Sequence, residues 1–276
     1  MKNSFVYIDY KIKKIQELRA IHSISESGIE VLIPKKQIIK FVLLKEMFNM
    51  NYKITNEKNG IPLSNLLSIN HENPETHIGK LMKPLIFPIP IIDYCKGLWR
   101  EDRNYKYTFA GLITQSRNEL ISNWIRNNIT SEKFKLPITD SFINKKKSKI
   151  LNFFNIDSSI NKKIGDLIIW SSNRGRKFPI KAWDNEYFEV LGKSQFVLCP
   201  SGVCVWSYRF FEAILCGAIP IVEKNCEAYE GFRFKYMDDS AEKFKWSKED
   251  AEYNYNLCLE RICLKPELIL SEISSV

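Results

Sequence analysis

Apolar residues recur along the chain in two patterns, short runs that suit buried β-strands and longer stretches with helical spacing. In the first third, the strands are predicted at residues 4–8, 29–33 and 51–55, and the helices at residues 11–25 and 34–48. Gly28 is predicted to end the first of these helices. The spacing in the second helix predicts that four of its side chains face the core, namely Ile38, Ile39, Val42 and Leu43.

Residues 56–80 follow neither pattern and are predicted to be mostly loop with short helix. Residues 84–90 are predicted to be extended, because each proline restricts itself and the residue before it. Strands and helices then alternate again, with strands predicted at residues 107–110, 166–171, 195–199 and 218–222 and helices at residues 116–127, 185–192, 205–216 and 247–262. This alternation predicts an α/β fold with parallel sheets flanked by helices.

The length of 276 residues and the hydrophobic content of 45% suit one large or two small globular domains. We expect a small N-terminal α/β domain at residues 1–95 and a second domain at residues 96–240. The remaining residues, 241–276, are expected to form a helical segment that packs back on the N-terminal domain.

The net charge of +9 favours an anionic partner, such as a phosphorylated metabolite, a nucleic acid or an anionic membrane surface. The basic residues are scattered, and four lysines between residues 145 and 149 are predicted to lie in an exposed loop or helix start. Because no signature of a nucleic-acid-binding domain accompanies them, we expect no nucleic-acid partner. Peripheral association with an anionic membrane stays open.

Seven cysteines occur without a CxxC pair, which favours reduced thiols in a cytoplasmic protein and argues against a zinc site. The N-terminal sequence does not resemble a signal peptide. No apolar run approaches the roughly 20 residues that a membrane helix needs. These features predict a cytoplasmic protein without a bound metal.

Residues 195–216 form a predicted strand, loop and helix that together suit an anionic ligand. The loop follows the carboxyl end of a parallel strand, where α/β sheets bind ligands, and the helix presents its N-terminus there. Gly202 allows close approach of the backbone to a ligand. The side chains that can donate hydrogen bonds or positive charge are Ser201, Ser207, Tyr208 and Arg209.

Glu212 lies in an apolar part of this helix, where a carboxylate needs a partner. It either accepts hydrogen bonds from the two ribose hydroxyls of a nucleotide or pairs with Arg209, three residues earlier. A second strand ends at Gly111 and is followed by Arg117 at the start of a helix. Arg117 either neutralises a diphosphate or is a solvated arginine on the helix surface.

Several segments resemble the exostosin glycosyltransferase family. The strand SQFVLCP at residues 194–200, the helix SYRFFEA at residues 207–213 and the strand GAIPI at residues 217–221 are similar to its S-x-F-C-L-x-P-R-G, S-x-R-x-x-E-A and G-x-I-P-V motifs. The earlier Phe109–Gly111 with Arg117 is similar to its F-x-G…R element. The order and approximate spacing agree over residues 83–232.

The resemblance implies a GT-B-like fold, with two Rossmann-type domains built on parallel sheets, the N-terminal one being reduced. It implies a glycosyltransferase that takes a nucleotide-sugar donor, with UDP-sugar as the first expectation, and a glycan or lipid-linked acceptor. Glu212 would hold the ribose, and Arg117 the diphosphate. Ser201 departs from the family pattern, which commonly has arginine after Cys-Pro. An inactive nucleotide- or glycan-binding domain is the alternative.

Catalysis needs a general base facing the acceptor hydroxyl. Asp9, at the end of the first predicted strand, and His77, in a loop-like region, are the candidates. No D-x-D motif follows an apolar strand, so we expect Arg117, Arg209 and the helix N–H groups to stabilise the leaving diphosphate without a metal.

Overall fold

A computed structural model describes residues 5–130, 136, 159–172, 174–202 and 204–275. The chain forms two compact units. The first comprises Met1–Tyr94, Phe178–Trp183 and Leu259–Val276, and the second comprises Cys95–Lys177 and Asp184–Cys258. The short return of the chain to the first unit at Phe178–Trp183 has no counterpart in the sequence prediction.

The first unit contains a four-stranded parallel sheet in the order β3-β2-β1-β4. Its strands are β1 (Phe5–Tyr7), β2 (Glu30–Ile33), β3 (Lys53–Ile54) and β4 (Ile61–Pro62). β1 and β2 pair in register with Val6 opposite Val31, and both side chains are fully buried. β2 and β4 flank the central β1, so the order reverses at β1 as it does in Rossmann-type sheets.

A second, antiparallel sheet follows in the first unit, with β5 (Leu67–Asn70), β6 (Glu75–Ile78) and β7 (Leu81–Lys83) in the order β5-β6-β7. The prediction of mostly loop and short helix for residues 56–80 missed these strands, although a short helix is present at Leu63–Asn65. Thr76 and Ile78 alternate with exposed or half-buried neighbours on β6, but the strands are too short for this alternation to stand out in the sequence.

The helices of the first unit are α1 (Ile15–Glu26), α2 (Val42–Phe48) and α8 (Pro266–Ser274). α1 packs against α8, and Leu18, Ile21 and Ile269 are fully buried in the core of this unit. Gly28 has a φ of 84°, a left-handed conformation that glycine adopts readily, and it follows the end of α1 as predicted.

The predicted helix at residues 34–48 is broken, because a 3₁₀ helix occupies Lys35–Lys40 before α2 begins. With three residues per turn, this segment places Gln37 and Lys40 on one edge and buries both. The predicted inward face was wrong. Ile39 is 51% exposed, and the side chains that do pack in the core are Phe41 and Leu44.

The helix α3 (Ile89–Gly97) begins inside the segment predicted to be extended. Residues 84–88 lie outside any helix, as predicted, but Pro90 occupies the second helical position. A proline is tolerated in the first turn of a helix, because the N–H group that it lacks would have no helical partner there.

The second unit contains a six-stranded sheet in the order β13-β12-β11-β8-β10-β9. Its strands are β8 (Tyr105–Ala110), β9 (Ser159–Ile164), β10 (Leu167–Ser172), β11 (Ser194–Cys199), β12 (Ile219–Val222) and β13 (Lys235–Tyr236). All neighbouring pairs are parallel except β9 with β10. β8 precedes both of its neighbours in sequence, so the order reverses between β8 and β11.

The helices of the second unit include α4 (Gln115–Asn128), α5 (Asn185–Gly192), α6 (Tyr208–Leu215) and α7 (Lys248–Ile262). The residues of α7 from Leu259 onward belong to the first unit. The core on the sheet contains Phe109, Trp124 and Phe196, all almost fully buried. The hydroxyl of Ser247 accepts a hydrogen bond from the Asp250 N–H at 3.1 Å, which confirms the predicted start of α7. α6 is shorter than predicted.

Two Rossmann-type sheets with flanking helices, the smaller N-terminal one parallel and the larger one parallel except for β9, confirm the predicted GT-B-like α/β fold class. Among the described residues, no helix is both long and apolar enough to cross a membrane. The four lysines between residues 145 and 149 lie outside the part of the chain that the structure describes.

Candidate functional site

The predicted ligand-binding residues of the second unit converge at the carboxyl ends of β8 and β11. Gly111 follows β8 directly, and Ser201 and Gly202 follow β11. These two strands are neighbours, and the strand order reverses between them, which is where open α/β sheets bind ligands. The helices that begin beside these loops are α4 and α6, which carry Arg117 and Arg209.

Arg209 is buried against the end of β8. Its Nε donates a hydrogen bond to the Ala110 carbonyl oxygen, and its guanidinium carbon lies 4.5 Å from the centroid of the Phe109 ring. Its Nη1 is buried and has no hydrogen-bond partner among the described residues. A cationic donor held in this way is available to an anion that approaches the strand end.

Gly111 makes this position of Arg209 possible. Its φ is 137°, in the region that side chains rarely adopt, and a Cβ added there would overlap Nη2 of Arg209. The structure therefore gives Gly111 a steric role beside its predicted place at the ligand.

Arg117 bridges the loops that follow the two strands. Its Nη1 donates to the Leu112 carbonyl oxygen at 3.2 Å, and its Nε donates to that of Ser201 at 3.4 Å. A Cβ on Gly202 would lie 2.9 Å from Arg117 Nη2. Arg117 is thus tied to the site, and the alternative of a solvated surface arginine was wrong.

Burial, and then repulsion from Arg209, lowers the pKa of Arg117 to about 10. The charge of Arg176 makes a smaller contribution to this lowering of the Arg117 pKa, so a third guanidinium acts on the same site. Arg117 remains protonated at neutral pH. Cations brought together against their own repulsion form a site suited to a polyanion.

Glu212 lies one helical turn after Arg209 on α6 and is 7% exposed. Its Oε2 accepts a hydrogen bond from the Tyr187 hydroxyl at 2.6 Å. The Arg209 guanidinium donates through Nε to the Ala110 carbonyl oxygen. Burial and the adjacent Glu212 raise the pKa of Tyr187, which keeps this phenol a neutral donor.

Ser207 occupies the N-cap of α6 and is also buried. Its backbone N–H donates to the Tyr229 hydroxyl at 2.7 Å, while its own Oγ is buried with no partner in the part of the chain that the structure describes. Tyr208 begins α6, and its ring packs edge-on against Trp206 at 4.9 Å. The Ser201 hydroxyl donates to Glu223, so that Ser201 meets Arg117 through its carbonyl oxygen only.

Several residues near this site were missed by the sequence prediction. Tyr187 on α5 orients Glu212, Tyr229 receives the Ser207 N–H, and Glu223 engages Ser201. The one available signal was the Arg174-Gly-Arg176 segment directly after β10, which places cations at the same edge of the sheet. The distant tyrosines give no such signal.

Cys199 ends β11 beside these charged groups. Burial raises the pKa of its thiol to about 12, so it is neutral at physiological pH and does not act as a thiolate nucleophile. No disulfide links the seven cysteines, all of which the structure describes. Within the described ranges, no group of three or more His, Cys, Asp or Glu residues could hold a metal ion.

The two predicted base candidates lie in the first unit and do not come together. Asp9 follows β1, and its carboxylate accepts hydrogen bonds from the Ser64 hydroxyl and from the Ser64 N–H, the latter at 3.1 Å. It lines a cavity at the carboxyl ends of the parallel strands. His77 lies in the middle of the antiparallel sheet, 3.8 Å from Glu75, and does not line that cavity.

In the second unit, the guanidinium groups of Arg117 and Arg209 and the Ser207 hydroxyl at the start of α6 form a site that can bind an anion. The Glu212 carboxylate, one to two helical turns further along α6, can accept hydrogen bonds from hydroxyls. A family model, the exostosin GT47 domain, matches residues 47–230, which is more than half of the chain. No curated protein matches the sequence. The matched range contains every residue of this site, from Gly111 to Tyr229. The chain therefore belongs to the exostosin GT47 domain family of glycosyltransferases.

Proposed function

We propose that the protein transfers a sugar from a nucleoside-diphosphate sugar to a hydroxyl of a glycan or lipid-linked acceptor, and that the donor binds at the carboxyl ends of β8 and β11. The observation that carries this proposal is a pair of buried donors, Ser207 Oγ and Arg209 Nη1, that have no partner within the described ranges and lie on the helix that also carries Glu212. Leaving a polar group buried and unsatisfied costs about 1–3 kcal/mol, and a bound diphosphate would remove this cost.

Each group has a role in this proposal. Arg117, Arg209 and the N-terminus of α6 hold the diphosphate, and Glu212 accepts hydrogen bonds from the ribose hydroxyls. Tyr187 supports the proposal by holding one oxygen of Glu212 in place. Gly202 keeps space beside Arg117 that a side chain would fill.

Departure of the nucleoside diphosphate leaves negative charge on its terminal phosphate. Fixed guanidinium groups at this position stabilise such charge without reorganisation when the bond breaks. The proposed mechanism is therefore independent of a metal ion. The proposed donor is a UDP-sugar.

The acceptor hydroxyl has to lose a proton during transfer. Asp9 is the proposed base, because its carboxylate is held by Ser64 at the edge of a cavity in the first unit. His77 remains the second candidate.

The test is a thermal-shift screen of the full chain against UDP-, GDP-, ADP- and CMP-sugars, with wild-type protein and the Glu212→Gln variant. Glutamine keeps the size of the side chain and an oxygen for Tyr187, but it loses the charge that strengthens hydrogen bonds from the ribose. We expect one nucleotide class to stabilise the wild type and to bind about tenfold more weakly to the variant. Glu189→Gln, an exposed change on α5, is the matched control.

The proposal fails if no nucleotide sugar stabilises the wild type. If Glu212→Gln and Glu189→Gln respond alike, the role of Glu212 is wrong even though a donor binds.

A second candidate is a domain that binds the donor without turnover. It is favoured by Ser201, whose hydroxyl is engaged by Glu223 where the family commonly has an arginine. Consumption of the bound donor in the presence of acceptor glycans distinguishes the two, because a binding domain would leave the donor intact.

A further inference from the structure

The first unit contains a cavity of about 800 Å³ at the carboxyl ends of β1, β2 and β3. This edge of a parallel sheet is where α/β units bind ligands, and the volume lies within the usual range for small-molecule sites. The donor site proposed above lies entirely in the other unit, and of the residues that line this cavity the proposed function uses Asp9 alone.

The lining of the cavity is strongly basic. Five of its residues are lysines and two are acidic, the lysines being Lys11, Lys35, Lys36, Lys40 and Lys58. The acids, Asp9 and Glu57, do not neutralise them. Asp9 accepts hydrogen bonds from Ser64, and Glu57 accepts one from Asn59 at 3.4 Å. Within the described part of the chain, none of the five lysines forms an ion pair.

Lys40 differs from the others because it is only 7% exposed. Its ammonium donates to the Ile12 carbonyl oxygen at 2.6 Å and to Gln37 Oε1 at 3.0 Å, and both acceptors are uncharged. An ammonium has three N–H donors, two of which are used in these hydrogen bonds, and Nζ also lies 5.2 Å from the centroid of the Phe178 ring, which is uncharged. A buried cation without a carboxylate partner is costly, and an anionic ligand would remove that cost.

The surroundings of Lys40 add to its charge. Burial lowers the pKa of Lys40, and repulsion from Lys11 and Lys181 lowers it further, with Glu17 acting in the opposite direction. The Lys181 ammonium donates to the Lys13 carbonyl oxygen at 2.6 Å, which holds it beside the same loop. The fold thus maintains an excess of positive charge here.

We propose that this cavity binds a saccharide through an anionic group, a phosphate or a carboxylate, which contacts Lys40 and the exposed Lys35 and Lys36. The exposed amide of Asn56, also in the lining, is placed to meet a sugar hydroxyl. This inference rests on the proposed function, in which the saccharide is the acceptor. Asp9 on the cavity wall then faces the hydroxyls of this acceptor. The acceptor is then an acidic sugar rather than a neutral one.

The test uses ligand-observed NMR on the full chain with three matched probes, glucose, glucuronic acid and glucose 6-phosphate, and with inorganic phosphate. The Lys35→Gln/Lys36→Gln double variant removes two exposed charges from the lining. The Lys45→Gln/Lys53→Gln double variant removes two exposed charges of the same unit that lie outside the lining. Thermal unfolding of each variant verifies that it is folded.

We expect wild-type protein to bind at least one of the two acidic sugars and not glucose, with weaker binding at higher salt. The lining variant should bind that sugar about tenfold more weakly, while the other variant behaves as wild type. If just one of the two acidic sugars binds, that result identifies the anionic group as carboxylate or as phosphate.

Three results would overturn the proposal. They are the absence of binding by both acidic sugars at millimolar concentration, equal weakening in both double variants, and inorganic phosphate binding as tightly as glucose 6-phosphate. UDP-sugar binding to the same preparations is measured separately. If the UDP-sugar binds and the acidic sugars do not, only this inference fails; if the reverse holds, the donor assignment fails and the anionic saccharide site stands.

Discussion

At the scale of single residues, the position of Arg209 depends on the missing side chain of Gly111. The guanidinium lies over Phe109 and beside Ala110, in space that a Cβ on Gly111 would occupy. The φ of 137° at Gly111 adds a backbone cost for any other residue. A glycine at the end of a strand thus controls where a cation of the donor site lies.

The Gly111→Ala variant should displace Arg209 and destabilise the protein by about 1–3 kcal/mol. We expect nucleotide-sugar affinity to fall at least about tenfold, since a charge-assisted contact is lost. Urea unfolding and calorimetric titration measure the two effects. Gly97→Ala is the control, because a Cβ there meets no atom within 4 Å. Unchanged affinity in a folded Gly111→Ala protein would contradict the steric role.

A second residue-scale feature is the pair His22 and Glu26 on α1, with His22 Nε2 3.9 Å from Glu26 Oε1. Burial lowers the pKa of His22 to about 4 and raises that of Glu26 to about 7, although the Ile89 N–H donates to Glu26. Between these values both groups are neutral, so the contact is not a charged pair.

The raised pKa of Glu26 predicts a pH dependence. The folded state holds the Glu26 proton more tightly than the unfolded state does. The contribution of this proton to the free energy of unfolding is therefore at its maximum below about pH 4.5 and is lost as the pH rises through 7. The free energy of unfolding of Glu26→Gln should therefore rise by on the order of 1–3 kcal/mol relative to that of the wild type between pH 5 and pH 8. His22 contributes an opposite slope between about pH 4 and 6.5 in both proteins, and this cancels in the difference.

Urea unfolding at several pH values measures this difference. Exposed Glu46→Gln should follow the wild type at every pH. A constant difference between Glu26→Gln and wild type from pH 5 to 8 would contradict the prediction.

At the scale of elements, Arg103 ties three of them together in the second unit. Its Nη1 donates to the carbonyl oxygens of Gly192 at the end of α5 and Ser194 at the start of β11, at 3.2 and 2.7 Å. Its Nη2 donates at 3.0 Å to Cys216, which ends α6. Arg103 is 6% exposed, and burial lowers its pKa to about 10, so it stays charged at neutral pH.

Arg103→Lys should destabilise the second unit by about 2–4 kcal/mol, because one ammonium cannot reproduce the planar fork that reaches all three carbonyls. The midpoint of thermal unfolding measures the loss. Arg100→Lys, an exposed change nearby in sequence, should have little effect. Equal midpoints for the two variants would show that the three hydrogen bonds do not hold the elements together.

Element types were predictable where one pattern ran long enough. The strand at residues 195–199 and the helix at residues 185–192 match β11 and α5 closely, because buried apolar runs and a capped helix give strong local signals. The 3₁₀ break at Lys35–Lys40 was not predictable. It depends on Gln37 and Lys40 bonding to the loop after β1, at Tyr10 and Ile12, which local spacing does not encode.

At the scale of the whole molecule, the two units are each built on a parallel sheet whose order reverses beside its first strand. The carboxyl ends of those strands carry the basic cavity in one unit and the proposed donor site in the other. The first unit is completed by the last helix of the chain, since Ile269 and Ile273 on α8 are buried in its core.

The Ile269→Ala/Ile273→Ala variant should destabilise the first unit by several kcal/mol, as each truncation of a buried isoleucine costs about 2–5 kcal/mol. Hydrogen exchange should show the loss in β1 and α1, far away in sequence. The control is Leu268→Ala/Leu270→Ala on the same helix, whose side chains are 50% and 42% exposed. Similar exchange in both variants would mean that α8 is not part of this core.

The sequence by itself determined the α/β class, most of the strands and helices of the second unit, and the family, because periodicity and the motifs around Arg209 and Glu212 are local properties. It also brought together Gly111, Arg117 and the start of α6, since parallel strands end at one edge. Only the tertiary structure showed which groups these side chains contact. The strand order placed β8 beside β11, which directed Arg209 to Ala110 and Glu212 to Tyr187. Such contacts join residues up to about a hundred positions apart, and packing, not local spacing, selects them.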